Sequence, residues 1–145
     1  MRITISLEDY NRMLRHATDN RPEEACGLIA GVDADDGTRE IKAVYLLTNT
    51  DHTNEHFSID PREQLQAIRD MRANGWKPLG NWHSHPESPS RPSEEDKRLA
   101  NDSTASYLIL SLMDDREPVL NAFHIETVDG VKTVRKEELI IGDNR

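Results

Sequence analysis

Apolar residues recur at helical spacing over Leu7, Tyr10, Met13 and Leu14, directly after Ser6, and Ser6 with Asp9 suits the capping box that opens a helix. Asn20-Arg21-Pro22 breaks that pattern. Cys26-Gly27-Leu28-Ile29-Ala30-Gly31-Val32 is an apolar run of buried-strand length, and Asp35-Asp36-Gly37 is a turn signal leading to a second strand over residues 41–48. Asp60-Pro61-Arg62-Glu63 combines an N-cap, a proline at the first helical position and a carboxylate at the third, ahead of Leu65, Ile68 and Met71. This predicts a second helix, ended by Asn74-Gly75. Residues 79–84 read as a strand that runs straight into His83-Ser84-His85-Pro86, and Ser93 opens a short third helix. Residues 107–113 and 119–125 are further strands, and Asp129-Gly130 between β-rich runs is a hairpin turn of the type that demands positive φ.

Helices interleaved with strands, without an internal repeat or a low-complexity tract, predict one α/β domain over residues 1–145, a mixed β-sheet flanked by helices. The formal net charge of -9, from 27 acidic and 18 basic residues, would repel phosphate backbones and anionic lipid headgroups. No nucleic acid and no membrane surface is expected as a partner. Cys26 is the only cysteine, which excludes an intrachain disulfide and an all-cysteine metal cluster and fits a reducing compartment. The charged start MRITISLEDYNRM lacks the apolar stretch of a signal peptide, so the expected location is the cytoplasm.

The segment that carries chemistry is Trp82-His83-Ser84-His85-Pro86 and the ten residues that follow it, up to Asp96. Side chains alternate faces along a strand, so His83 and His85 project the same way and Ser84 the other. Two imidazoles can then share one ion. The stretch between holds several prolines and ends at a helix start, stiff enough to bring Asp96 back as a third ligand. Two imidazoles and a carboxylate leave a tetrahedral zinc one open position, the arrangement of a catalytic site. Ser93 also suits a helix N-cap with Asp96 three residues on, and on sequence grounds Asp96 completes a capping box or ligates metal, not both. His16 and His124 read as ordinary structural histidines and Cys26 as a small buried hydrophobe. His52-Thr53-Asn54-Glu55-His56 matches the order of another zinc peptidase motif, which needs a helix; here turn-forming residues precede it and it reads as loop, then strand.

These residues resemble the JAMM, or MPN-plus, zinc metallopeptidases, whose pattern is an upstream Glu, then His-Ser/Thr-His-Pro, six residues, Ser, two residues and Asp. Every position is present in His83-Ser84-His85-Pro86, Ser93 and Asp96, and Glu23-Glu24-Ala25-Cys26-Gly27-Leu28 is similar to the segment carrying the family's catalytic glutamate, which aligns with Glu24 rather than Glu23. Asn49 and the later Phe57-Ser58-Ile59-Asp60-Pro61 also look like short bacterial members. The resemblance implies a deaminase-like JAMM/MPN fold, zinc on His83, His85 and Asp96, Glu24 as general base and Ser93 as oxyanion donor. It further implies a metalloprotease or isopeptidase that hydrolyses an amide at the C-terminal tail of a ubiquitin-like or sulfur-carrier protein, including release of cysteine from such a carrier. Two alternatives stay open: a non-catalytic MPN-type binding module, and a peptidase acting on short peptides or small amides.

Overall fold

The protein was analysed as a computed structural model, which describes residues 1–53 and 56–142. Its elements run in the order β1 (Arg2–Ser6), α1 (Leu7–Asn20), β2 (Cys26–Asp33), β3 (Arg39–Leu47), α2 (Pro61–Ala73), β4 (Lys77–His85), α3 (Glu94–Leu99), β5 (Ser106–Ser111), β6 (Val119–Val128) and β7 (Val131–Gly142). The expected signals operate at the expected places. The Ser6 side chain accepts from the Asp9 N–H to start α1, and Asp60 caps α2 with Pro61 behind it. Gly37 turns β2 into β3 at φ 88°, and Asp129 and Gly130 turn β6 into β7 at φ 51° and 79°, the paired positive angles that match the twist of a two-residue hairpin.

The strands pair in the order β1-β3-β2-β4-β5-β6-β7, and β7 pairs with β1, so the mixed sheet closes on itself. The parallel pairs are β1 with β3, β1 with β7 and β4 with β5. A parallel pair needs a long crossover. Between β4 and β5 that crossover is residues 86–105, and it carries α3 out over the sheet and back.

Alternation along the strands sorts the side chains. Ile3, Ile5, Ile29, Trp82, Leu108 and Leu110 share the main core with Met13 and Ala17 of α1. On the opposite face of the sheet Ala30 meets Ala67 and Met71 of α2, and Ile109, Phe123 and Ile125 form a second cluster with Ala100 just beyond α3. Each fully buried large side chain contributes about 1.5–3 kcal/mol. The Trp82 indole N–H donates to Tyr45 O at 3.1 Å, over Gly27. A Cβ at Gly27 would lie 1.7 Å from Tyr45 O and 2.3 Å from the indole nitrogen, so glycine is what lets β2, β3 and β4 close up here. Among the described residues no helix is long and apolar enough to cross a membrane.

Candidate metal centre

β4 places Trp82 in the main core and His83 on the other face, between the cluster under α2 and the cluster beside α3. His85 follows two residues on. Their Nε2 atoms stand 3.1 Å apart, and Oδ2 of Asp96, from the first turn of α3, is 3.2 Å from one and 3.1 Å from the other. Both histidines are buried, and His85 Nδ1 lies 2.8 Å from Pro89 O, which takes its proton and turns the Nε2 lone pair toward the cluster. His83 Nδ1 is buried without a hydrogen-bond partner, and that ring is held instead by Phe57, stacked on it at 4.9 Å and 27°.

Three acceptor atoms thus converge on one point, and one proton can bridge only one pair of them at a time. The residues fit zinc. With ligand bonds of about 2.0–2.1 Å, two donors of a tetrahedral ion stand about 3.3 Å apart, close to the separations found here. Burial alone would raise the Asp96 carboxyl, but its contacts with the His83 and His85 imidazoles and with the Ser93 N–H outweigh it and hold it far below the usual carboxylate range. Burial pushes the His83 imidazole down, which favours the neutral form that ligates metal.

The capping box that the sequence offered for Ser93 and Asp96 is present. The Asp96 N–H donates to Ser93 Oγ at 3.0 Å and the Ser93 N–H donates to Asp96 Oδ2 at 2.9 Å, a complete capping box. The same Oδ2 faces both histidines. A carboxylate oxygen accepts more than one interaction, so capping and the approach to the histidines are compatible in one side chain.

Glu24 lies beside this cluster. Cys26 pairs with His83 across the antiparallel β2–β4 ladder, which sets Glu24 opposite His85 and Ala25 opposite Ser84. Ser84, facing away from the cluster, bonds Ala25 twice: its Oγ accepts from the Ala25 N–H at 2.8 Å and its N–H donates to Ala25 O at 2.9 Å. The Glu24 peptide is held on both sides, its N–H by Thr53 O at 2.8 Å and its carbonyl by Asn49 Nδ2 at 2.9 Å. The carboxyl is 2 % exposed and its Oε1 has no partner. Burial raises it to about 8, with the nearby Asp96 adding to the rise and His85 opposing it. A proton acceptor of that strength is matched to neutral pH.

The remaining candidates fall as the sequence suggested, with one difference. Cys26 is buried and its thiol is pushed up to about 12, chiefly by burial, so it is no nucleophile. His16 contacts Leu47 O and the edge of Trp82, and His124 contacts Ser103 O. Glu23 pairs with His52, and His56 with Asp51, all outside the cluster. His52, Thr53 and His56 are not helical, while Asn54 and Glu55 lie outside the described residues. The strand expected after that loop is a single bridge, Asn49 to Ile59, because Asn49 Oδ1 takes the Ser58 N–H and Thr50 Oγ1 donates to Ser58 O, groups a ladder would use.

A groove of about 300 Å³ opens from the cluster along β4 and β5. Phe57, Ile59, Pro92, Leu99, Tyr107 and Ile109 are among the residues that line it. Sequence reading gave Phe57, Asn49 and Ser84 no task in the site. An apolar Phe57 amid polar residues was the available signal, but its target His83 is 26 positions away along the chain.

Residues 7–126 match the family described as prokaryotic homologs of the JAB domain. The chain belongs to this family. The JAMM resemblance is borne out at that level. The JAB-domain chain is 32 % identical over 132 residues to the CysO-cysteine peptidase of Mycobacterium tuberculosis, covering 90 % of this chain and 86 % of that protein. It is 29 % identical over 115 residues to the desampylase of Haloferax volcanii, covering 76 % and 81 %. A solution structure of a protein from Desulfitobacterium hafniense superposes with a TM-score of 0.86 at 50 % identity, over 98 % of this chain and 94 % of that one.

Proposed function

We propose that this JAB-domain chain is a zinc-dependent hydrolase, acting as a single domain in the cytoplasm, that cleaves an amide bond at the C-terminal tail of a ubiquitin-like or sulfur-carrier protein. The observation that carries the reading is the buried Glu24 carboxyl, its Oε1 unpartnered, set beside three converging acceptor atoms, of which those of His83 and Asp96 belong to residues lining an apolar groove. The similarity to a CysO-cysteine peptidase and a desampylase supports the class of substrate.

His83, His85 and Asp96 would hold the zinc. When bound, it supplies a Lewis acid that polarises the scissile carbonyl and makes water acidic near neutral pH. Glu24 would take the proton of the attacking water on Oε1 and hand it to the leaving amine. Ser93 Oγ accepts from the Asp96 N–H, which leaves the hydroxyl hydrogen to be donated to the developing oxyanion, a contribution of about 3 kcal/mol for one such donor. The groove would keep an extended tail in line with Glu24 and exclude water from its apolar walls. No covalent intermediate is needed.

A non-catalytic binding module needs neither the metal ligands nor Glu24 buried at a cost, so the intact constellation favours catalysis. A groove of about 300 Å³ that reaches beyond His83 and Asp96 to Tyr107 and Ile125 favours a tail over a small amide. The test is to load the chain with zinc and incubate it with a carrier protein whose terminal Gly-Gly is linked through an amide to cysteine or lysine, following release by mass spectrometry. Glu24→Gln should keep zinc and lose nearly all turnover, while His83→Ala and Asp96→Ala should lose zinc as well. A zinc-loaded wild-type chain that cleaves neither conjugate, or that cleaves a free dipeptide amide equally fast, overturns the reading.

A further inference from the structure

The side chain of Asn49 stands where the two halves of the site meet. Asn49 follows the end of β3 and is 4 % exposed. Its Nδ2 donates to Glu24 O at 2.9 Å and to His56 O at 3.1 Å. Its Oδ1 accepts from the N–H of Asp51 at 3.0 Å and of Ser58 at 3.2 Å. A carboxamide offers two donor hydrogens and two acceptor lone pairs, so all four of its bonds are made. The opposite orientation would set its NH2 against two N–H groups and its oxygen against two carbonyls, so the surroundings fix it in one pose.

Two groups of the site lack a side-chain hydrogen bond of their own, Glu24 Oε1 and His83 Nδ1. Each is one step from Asn49. The carboxamide holds the Glu24 carbonyl, and the adjoining segment holds the Glu24 N–H through Thr53 O. On the other side it grips His56 O and the Ser58 N–H, the peptides on either side of Phe57, whose ring is stacked on His83. Thr50 adds a second tie, its N–H donating to Ser58 O at 2.9 Å.

Few side chains can replace it. Aspartate has the same shape but turns a carboxylate oxygen toward two carbonyl oxygens, and alanine leaves four backbone groups without this partner, the Glu24 carbonyl among them buried. Glutamine is one methylene longer and would carry its amide past these four partners.

We propose that Asn49 is a positioning residue that sets the Glu24 carboxyl and the His83 ring in one operation. The proposal rests on the reading of Glu24 as the base, and its test is separable from that reading. In the full-length chain, with and without zinc, the carboxyl carbon resonance of Glu24, identified by its loss in Glu24→Gln, and the ring-proton resonances of His83 report the two groups directly. Asn49→Asp should shift both. Phe57→Leu should shift His83 alone, and Ile41→Val, a core change away from the site, should lower the melting temperature and shift neither. Zinc affinity in Asn49→Asp should fall by roughly 10–100-fold, because Asn49 orients His83 through Phe57, so turnover is compared at saturating zinc. Turnover of a carrier tail ending in Gly-Gly-cysteine should fall about a hundredfold with KM little changed, the scale of a displaced catalytic group. Asn49→Ser, small and uncharged, carries the same measurements if Asn49→Asp does not fold. Resonances that move no further than in Ile41→Val, or that move while turnover stays at wild type, overturn the proposal. A wild-type chain that cleaves no tail while Asn49→Asp still moves both signals sinks the hydrolase reading and supports the positioning by Asn49.

Discussion

Ser84 and Ala25 are joined by two hydrogen bonds that do not form an ordinary ladder pair: the Ser84 N–H reaches Ala25 O at 2.9 Å, but the Ala25 N–H finds Ser84 Oγ at 2.8 Å instead of the Ser84 carbonyl. A hydroxyl therefore replaces the backbone acceptor at the point where the chain entering β2 leaves β4. The two strands separate there, directly ahead of Glu24, and the middle residue of His83-Ser84-His85 becomes the tie between the strand that carries the two histidines and the strand end that carries Glu24.

Ser84→Ala should leave the Ala25 N–H buried and unpartnered. The expected loss is about 1–3 kcal/mol, the cost of an unsatisfied buried donor. Chemical denaturation of the zinc-free chain measures it, and amide exchange at Ala25 should accelerate in the same variant. Unchanged exchange at Ala25 would mean that the hydroxyl is not its acceptor.

The pH dependence of stability has a definite sign. Burial raises the Glu24 carboxyl from 4.5 to about 8, so between those values the folded chain holds a proton that the unfolded chain has released. Stability from this group is present at acid pH and falls as pH rises from about 4.5 toward 8. Glu24→Gln cannot lose that proton. In zinc-free protein it should therefore unfold at higher denaturant than wild type at pH 8, by roughly 1–4 kcal/mol at about 1.4 kcal/mol per tenfold change in acidity, and match it near pH 4. His83, whose imidazole is pushed down, adds the opposite slope, but it is present in both proteins and largely cancels in the comparison. Zinc beside Glu24 favours the carboxylate, so loading should shrink the advantage of the variant.

How much of this was legible in the sequence depends on how far each relationship reaches along the chain. The His83–His85 pair follows from strand alternation, and the helices were announced by Ser6, Asp60-Pro61 and Ser93, since caps act within one turn. The closing pair β1–β7 joins residues such as Ile3 and Leu139, and no local pattern encodes such a partner. Glu24 was placed by resemblance, because its proximity to His85 depends on the register of β2 against β4. Asn49 sits among Thr48, Thr50 and Asp51 and by residue type reads as one more turn former; the resemblance marked it without giving it a task, which its burial and four hydrogen bonds supply.

Gly27→Ala tests whether the close approach that sets this register is required. The added methyl would meet Tyr45 O and the Trp82 indole nitrogen at distances no real Cβ shows, so β2 must shift or Trp82 must give up its bond. Overpacking of this kind costs about 1–3 kcal/mol or more. Because Gly27 is three residues from Glu24 on the same run of chain, turnover should fall beyond what the lost stability explains at temperatures where the variant is fully folded. A variant with wild-type melting and turnover would show that the strands can separate here without consequence.

Ser93 allows capping and catalysis to be told apart within one side chain. Its Oγ accepts from the Asp96 N–H, and its backbone N–H donates to Asp96 Oδ2, so Ser93→Ala removes the first bond and keeps the second. Loss of the cap alone should cost about 1 kcal/mol, seen as lower stability and somewhat weaker zinc binding because Asp96 sits in the turn that frays. Loss of an oxyanion donor should instead lower kcat by about a hundredfold or more at saturating zinc. Ser93→Asp separates the two: aspartate caps as well as serine but, ionised, has no hydrogen to donate. Stability restored in Ser93→Asp with turnover still lost assigns the hydroxyl to the reaction, whereas turnover that returns with stability assigns it to the cap, since a residue whose only task is to hold α3 in place must recover both together.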